Sequence, residues 1–209
     1  MLNLELAGGA GPLRVLAIGS HADDIEIGCG GALLRLAATG TLELHWVVLS
    51  AAGDRADEAR ASAAAFGAEA DVRGFRDAFF RYGAEVKEFF EELKRRVDPD
   101  VVFTHHDADR HQDHRLVAEL TWNTFRNHTI LEYEIPKYDG DLGSPNLFFH
   151  LDEETARRKV ELLMKSFPSQ HGRPWFTEDL FMALMRIRGM ESGSPSGLAE
   201  GFYARKLAF

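Results

Sequence analysis

Ser20-His21-Ala22-Asp23-Asp24-Ile25-Glu26-Ile27-Gly28-Cys29-Gly30-Gly31 separates two apolar stretches of different character. Before it, Val15-Leu16-Ala17-Ile18-Gly19 is a short continuous apolar run, the pattern of a buried strand; after it, Ala32-Leu33-Leu34-Arg35-Leu36-Ala37-Ala38 is helix-like. The polar cluster therefore occupies a strand-to-helix turn. In open α/β sheets such turns line the crevice at the carboxyl ends of the strands, where ligands bind. Three ionisable side chains in four positions at the edge of a core need a partner, and a divalent cation answers that need. His21 and Asp24, spaced i and i+3, can converge on one ion, while Asp23 points elsewhere and is free to handle a proton. The alternative is a capping cluster, in which Asp23 and Asp24 accept backbone N–H bonds at the helix start.

Working outward, the period keeps switching. Leu42 to Leu49 reads as a second strand, Arg55 to Phe66 as a helix stopped by Gly67, and Val72 to Phe75 as a short third strand. Val86, Phe89, Phe90, Leu93 and Val97 recur at helical spacing between Gly83 and Val97, and Pro99 precedes a strand at Val101 to Thr104. A second polar cluster follows at once, His105-His106-Asp107-Ala108-Asp109-Arg110-His111-Gln112-Asp113-His114, leading into a helix from about Arg115 to Arg126. Leu131 to Ile135 reads as a strand, Pro136 to Pro145 as a polar loop, and Glu153 to Ser166 as a helix. Phe167 to Trp175 is a broken loop, Glu178 to Ile187 an apolar continuation, and Gly189 to Gly197 a turn. Strands alternating with helices predict an α/β fold on a mostly parallel sheet. The two polar clusters then face each other across its crevice.

A chain of 209 residues, 45% of them hydrophobic, can bury a sizeable core and fits one domain over residues 1–209. With 33 acidic against 24 basic residues the formal charge is -9, so neither a nucleic acid nor an anionic membrane surface is expected as a partner. The single cysteine, Cys29, excludes an internal disulfide and fits a reducing compartment. No stretch has the length of a membrane span, and Met1 to Gly11 carries no basic residue of the kind that starts a secretory signal, so a cytoplasmic protein is expected.

A catalytic zinc site takes three His or carboxylate ligands and leaves a position for water, and His21, Asp24 and His114 supply that set. Bound water has its pKa pulled toward neutrality, and Asp23 can take its proton during attack on a carbonyl. The oxyanion needs the metal and a protonated imidazole, assigned to His111, with the carboxylate of Asp113 orienting it. The assembly describes metal-assisted amide hydrolysis. The same donors also accept Fe2+, Co2+ or Mn2+.

His21-Ala22-Asp23-Asp24-Ile25-Glu26-Ile27-Gly28-Cys29-Gly30-Gly31 and His111-Gln112-Asp113-His114 resemble the two signature motifs of the PIG-L (LmbE-like) family of zinc-dependent N-deacetylases. Secondary marks are Arg55 with Glu58-Ala59, Asp77, Ser169-Gln170, Arg188-Gly189 and Ala199-Glu200-Gly201-Phe202. The resemblance implies a Rossmann-like sandwich with helices on both faces of the sheet. It also implies removal of the acetyl group from an N-acetylglucosamine-type amino sugar or its conjugate, and assembly as a trimer or hexamer. By position it puts zinc on His21, Asp24 and His114, the general base at Asp23 and the oxyanion partner at His111. Arg55 and Asp77 match positions that contact the sugar or its substituent. Ala22 and Gln112 stand where proline is frequent, and Ile25 stands where an acidic residue often follows the Asp pair.

Several residues have plainer readings. His105 and His106 can simply end a strand, Asp107 and Asp109 shape a loop, and Cys29 is a small buried thiol. His171 can reach the site from its loop or stay solvated. Phe79, Phe80 and Tyr82 read as packing rather than as a sugar platform. Gly28, Gly30 and Gly31 do not form a dinucleotide fingerprint, because the polar cluster fills the turn that a pyrophosphate needs. The rival functions are hydrolysis of a larger sugar–thiol amide, a non-catalytic sugar-nucleotide module, and a two-metal phosphoesterase.

Overall fold

Among the described residues, the switch between strand and helical period builds a seven-stranded sheet flanked by six helices. The computed structural model describes residues 5–6 and 11–208, so most of the stretch read as lacking a secretory start lies outside the described residues. The elements are β1 (Leu13–Gly19), α1 (Asp24–Thr39), β2 (Leu42–Val48), α2 (Asp54–Ala65), β3 (Glu69–Val72), α3 (Ala84–Val97) and β4 (Val101–His105). They continue as α4 (Gln112–Thr124), β5 (Thr129–Tyr133), β6 (Leu147–His150), α5 (Glu153–Ser166), a 3₁₀ turn at Pro168–Gln170, α6 (Glu178–Ser192) and β7 (Ala199–Ala204). The strand order is β3-β2-β1-β4-β5-β7-β6. β1 to β5 pair in parallel, while β7 runs antiparallel between β5 and β6.

Side-chain alternation along β1 divides the core in two. Val15 and Ala17 pack with Leu33 and Leu36 of α1, Ala59 and Ala63 of α2, Val160 and Leu163 of α5, and Phe181 and Met185 of α6. Leu16 and Ile18 face the opposite way, against Phe90 and Leu93 of α3 and Val117 and Leu120 of α4. Helices therefore cover both faces, as expected of a largely parallel sheet buried on each side. The order reverses between β1 and β4, so the crevice at this switch point opens beyond their carboxyl ends, where both polar clusters lie.

Several boundaries differ from the sequence reading, among them the start of α1, which lies at Asp24 inside the polar cluster and not at Ala32. The third strand lies at Glu69–Val72, not Val72 to Phe75, because Gly67 ends α2 with φ +79° and pairing with β2 starts directly at Glu69 opposite His45. Residues 73–75 still follow β2 outward, with Arg73 N–H donating to Val48 O and Phe75 N–H to Leu49 O. The fourth helix starts at Gln112 rather than Arg115, since the His111 ring accepts the Asp113 N–H as its cap. The fifth strand runs Thr129–Tyr133 and stops two residues short of Ile135.

The turn expected from Gly189 begins only at Gly193, where φ is +62°. Gly189 lies inside α6, and a Cβ there would sit 2.2 Å from the Gly197 backbone, so glycine permits the chain to pass over the helix. The strands β6 and β7 complete the sheet beyond what periodicity indicated.

Candidate active site

The turn after β1 presents its carboxylates in two different ways. Asp23 occupies the N-cap position of α1 but makes no side-chain cap bond, so capping is not its role. Its Oδ1 accepts from Arg55 Nη2 at 2.8 Å, whereas the buried Oδ2 has no hydrogen-bond partner. Asp24 instead accepts the His21 N–H at 2.6 Å and turns toward the second cluster. Burial raises the pKa of Asp23, opposed by the charge of Arg55. Burial works the same way on Asp24, but the nearby His114, His105 and His21 overcome it and hold that carboxyl well below the usual range.

Three donor residues, His21, Asp24 and His114, meet on the cavity floor. His114 Nε2 lies 3.3 Å from His21 Nδ1, His21 Nδ1 lies 3.4 Å from Asp24 Oδ2, and His114 Nε2 lies 3.6 Å from Asp24 Oδ1. A tetrahedral ion with ligand bonds of about 2.1 Å separates its ligands by about 3.4 Å, close to the spacing of the two imidazole nitrogens and to the distance of each from the Asp24 carboxylate, which meets His21 through Oδ2 and His114 through Oδ1. The far ring nitrogens meet carboxylates. His114 Nδ1 is 3.0 Å from Asp109 Oδ2, and His21 Nε2 is 3.1 Å from Asp77 Oδ1 and 3.3 Å from Asp113 Oδ2. Donation from those nitrogens leaves the facing nitrogens with free lone pairs, the usual arrangement behind metal-binding histidines. Burial would lower the pKa of His21, yet Asp24, Asp113 and Asp77 push it up to about 12. The site thus demands positive charge at this point.

His111 joins His21 and His114 in a group whose donor atoms could also hold an ion. Its Nδ1 accepts the Asp113 N–H at 3.3 Å, and burial with the charges of His114 and His21 lowers its pKa. The Asp113 N–H on Nδ1 leaves Nε2 as the ring nitrogen available to donate toward the cavity. The expected contact from the Asp113 carboxylate to His111 is replaced. Helix α4 starts early enough to turn that carboxylate inward, where Oδ2 accepts the Ala78 N–H at 2.8 Å and faces His21.

A cavity of about 760 Å³ opens above this floor. His21, Asp23, Asp24, Arg55, Asp77, His111 and His114 all line it, whereas Asp113 is fully buried behind them. Arg55 is committed to Asp23, to Glu58 at 3.0 Å and to Ser169 at 3.4 Å. Asp77 is 73% exposed at the wall. The outer wall carries Arg76, Lys137, Tyr138, Arg173 and Trp175.

His105 is buried with Nε2 3.0 Å from Ser20 N and 3.1 Å from Asp24, its ring stacked on His114. His106 bonds Glu132 and stacks on Tyr203, and with Asp107 they form a separate group of possible metal donors. Asp109 shapes its loop through the His111 N–H, as read, but also grips His114 and Lys137. Its position five residues before His114 was the available signal. Lys137, four residues before Asp141 and bonded to it, had no comparable mark. His171 turns away to Met164 O, Phe79, Phe80 and Tyr82 stay outside the cavity, and Cys29 is buried with its thiol pKa pushed up by burial.

Residues 16–125, more than half the chain, match the family model PIG-L, described as GlcNAc-PI de-N-acetylase. The chain belongs to the PIG-L family. This PIG-L member is 33% identical over 166 residues to a protein of Escherichia coli (strain K12) called uncharacterized deacetylase YaiS, an overlap covering 72% of this chain and 89% of YaiS. Its fold is shared by the conserved protein TT1542 from Thermus thermophilus, with a TM-score of 0.80 at 22% identity over 94% of this chain and 96% of that one. It is shared too by the N,N'-diacetylchitobiose deacetylase from Pyrococcus horikoshii, solved with its inhibitor MPG, with a TM-score of 0.74 at 21% identity over 91% and 83% of the two chains. The single-domain PIG-L architecture agrees with the expected sandwich. Among the described residues no helix is long and apolar enough to cross a membrane.

Proposed function

We propose that this PIG-L chain is a metal-dependent N-deacetylase that hydrolyses the N-acetyl amide of an N-acetylglucosamine-type sugar or sugar conjugate. One observation carries the reading: the facing nitrogens of His21 and His114, 3.3 Å apart, each lie within 3.6 Å of an Asp24 carboxylate oxygen, beside a buried carboxylate oxygen, Asp23 Oδ2, that has no partner. Zinc held by His21, Asp24 and His114 supplies Lewis acidity to the amide carbonyl and to water, and Fe2+, Co2+ and Mn2+ suit the same donors. Asp23 accepts the proton of the attacking water on Oδ2 and returns it to the departing amine, and its raised pKa suits both transfers. Arg55 keeps the other oxygen fixed so that Oδ2 remains the basic one. His111 donates from Nε2 to the carbonyl oxygen as that atom gains charge. Asp113 keeps His21 in the required tautomer, and Asp77 accepts a sugar hydroxyl at the wall.

The family match and the names of YaiS and the chitobiose deacetylase support deacetylation. The cavity lies toward the upper part of the range of about 300–1,000 Å³ common for small-molecule sites, which favours a conjugate over a free monosaccharide. A cytoplasmic location and a homo-oligomer belong to the same proposal, the first supported by the lone buried cysteine. The test is acetate and amine release from a panel of N-acetylglucosamine derivatives, using chelated protein and protein given one equivalent of zinc. Release that returns with zinc supports the reading; zinc-loaded protein that cleaves none of the panel contradicts it.

A further inference from the structure

We propose that the buried ion pair of Lys159 and Glu200 is a positioning device for the turn that bears Asp23 and Asp24. The inference rests on the functional reading above, because it concerns how those two carboxylates are aimed. Glu200 Oε1 accepts the Gly31 N–H at 2.8 Å and Oε2 accepts the Ala32 N–H at 2.7 Å, both within α1. Lys159 Nζ donates to Glu200 Oε1 at 2.6 Å and to Ile27 O at 2.7 Å. In an α-helix Ile27 O is the partner of the Gly31 N–H, so an ammonium from α5 and a carboxylate from β7 enter the helical ladder at one step. This step runs from one turn beyond Asp24, at Ile27, to two turns beyond it, at Gly31. Side chains that insert there set the local direction of a helix axis.

The glycines of the first motif make the insertion fit. A Cβ on Gly31 would lie 2.9 Å from Glu200 Oε1 and 2.5 Å from Leu151, and one on Gly28 would lie 2.1 Å from the Tyr133 ring. Tyr133 is itself fixed, its hydroxyl donating to Ile18 O at 2.6 Å. The second turn of α1 is therefore gripped by Tyr133 at Gly28 and by the ion pair at Gly31. Three glycines in four positions weaken a helix, and burying a charged pair costs desolvation that apolar residues avoid, so stability alone does not account for the arrangement. Aim does. Asp23 and Asp24 stand at the start of α1, so the helix direction sets where the turn delivers them, and Arg55 and the His21 N–H then hold their carboxylates.

The decisive comparison uses the full chain with Co2+ as a spectroscopic probe. The neutral double variant Lys159→Met with Glu200→Gln keeps volume and leaves no buried charge unpaired. Glu200→Asp, which withdraws the carboxylate from α1 by one methylene, gives a second reading if the double variant does not fold. Leu93→Ala, in the core on the other face of the sheet, serves as a destabilised control. Either site variant is expected to bind Co2+ about tenfold or more weakly, as loss of an outer supporting contact does, and with an altered visible spectrum. Its kcat for acetate release is expected to fall about tenfold to a hundredfold with KM little changed, the signature of misplaced reacting groups. Leu93→Ala is expected to lower the thermal midpoint and keep the wild-type spectrum. Wild-type Co2+ affinity, spectrum and kcat in a folded site variant would overturn this inference alone. Failure of the wild-type protein to take up Co2+ would overturn the functional reading and this inference with it.

Discussion

Asp23 and Asp24 are adjacent carboxylates in opposite environments, which is how one site assigns proton transfer to one group and charge compensation to its neighbour. Burial raises Asp23, while three imidazoles depress Asp24 despite its burial. Asp23→Ala is therefore expected to retain bound metal and to lose about 10²- to 10⁴-fold in turnover, the usual share of a general base. Metal analysis beside acetate release checks both halves. Asp109→Asn removes the acceptor behind His114 and is expected to weaken zinc binding about tenfold to a hundredfold, read by competition with a chromophoric chelator. Unchanged affinity would remove Asp109 from the account. That His21, Asp24 and His114 line one cavity was legible because the two polar clusters that contain them each follow an apolar strand. The direction of the Asp113 carboxylate was not, since a helix start shifted by three residues turns it away from His111.

At the level of elements, β1 to β5 and their helices announce themselves through apolar runs and Gly or Pro stops. β6 and β7 do not. Leu147-Phe148-Phe149-His150 is too short to show alternation, and β7 contains Gly201, where a Cβ would meet Pro145 at 2.7 Å. Gly189 misled in the other direction, since its lack of a side chain serves a crossing of backbone over helix and not a turn. Because a methyl group there meets backbone that cannot swing aside, Gly189→Ala is expected to destabilise the fold by about 3 kcal/mol, read from the urea midpoint at unchanged m-value. A loss below about 0.5 kcal/mol would show that the crossing yields easily.

On the scale of the molecule, the reversal of strand order between β1 and β4 brings together polar clusters some ninety residues apart. That pairing was legible once both clusters fell at strand ends. If the donor set exists only in the folded chain, zinc at about one hundred times its Kd stabilises by about 2.7 kcal/mol, raising the thermal midpoint by roughly 5–10 °C for a chain of this size. His114→Ala is expected to lose that increment. The most direct measurement is anomalous scattering at the zinc edge from crystals of the zinc-loaded protein. The account predicts one strong site per chain, about 2.1 Å from His21 Nδ1, His114 Nε2 and an oxygen of Asp24. A principal site at His106, Asp107 and Glu132, or a pair of ions about 3.5–4 Å apart, would contradict it.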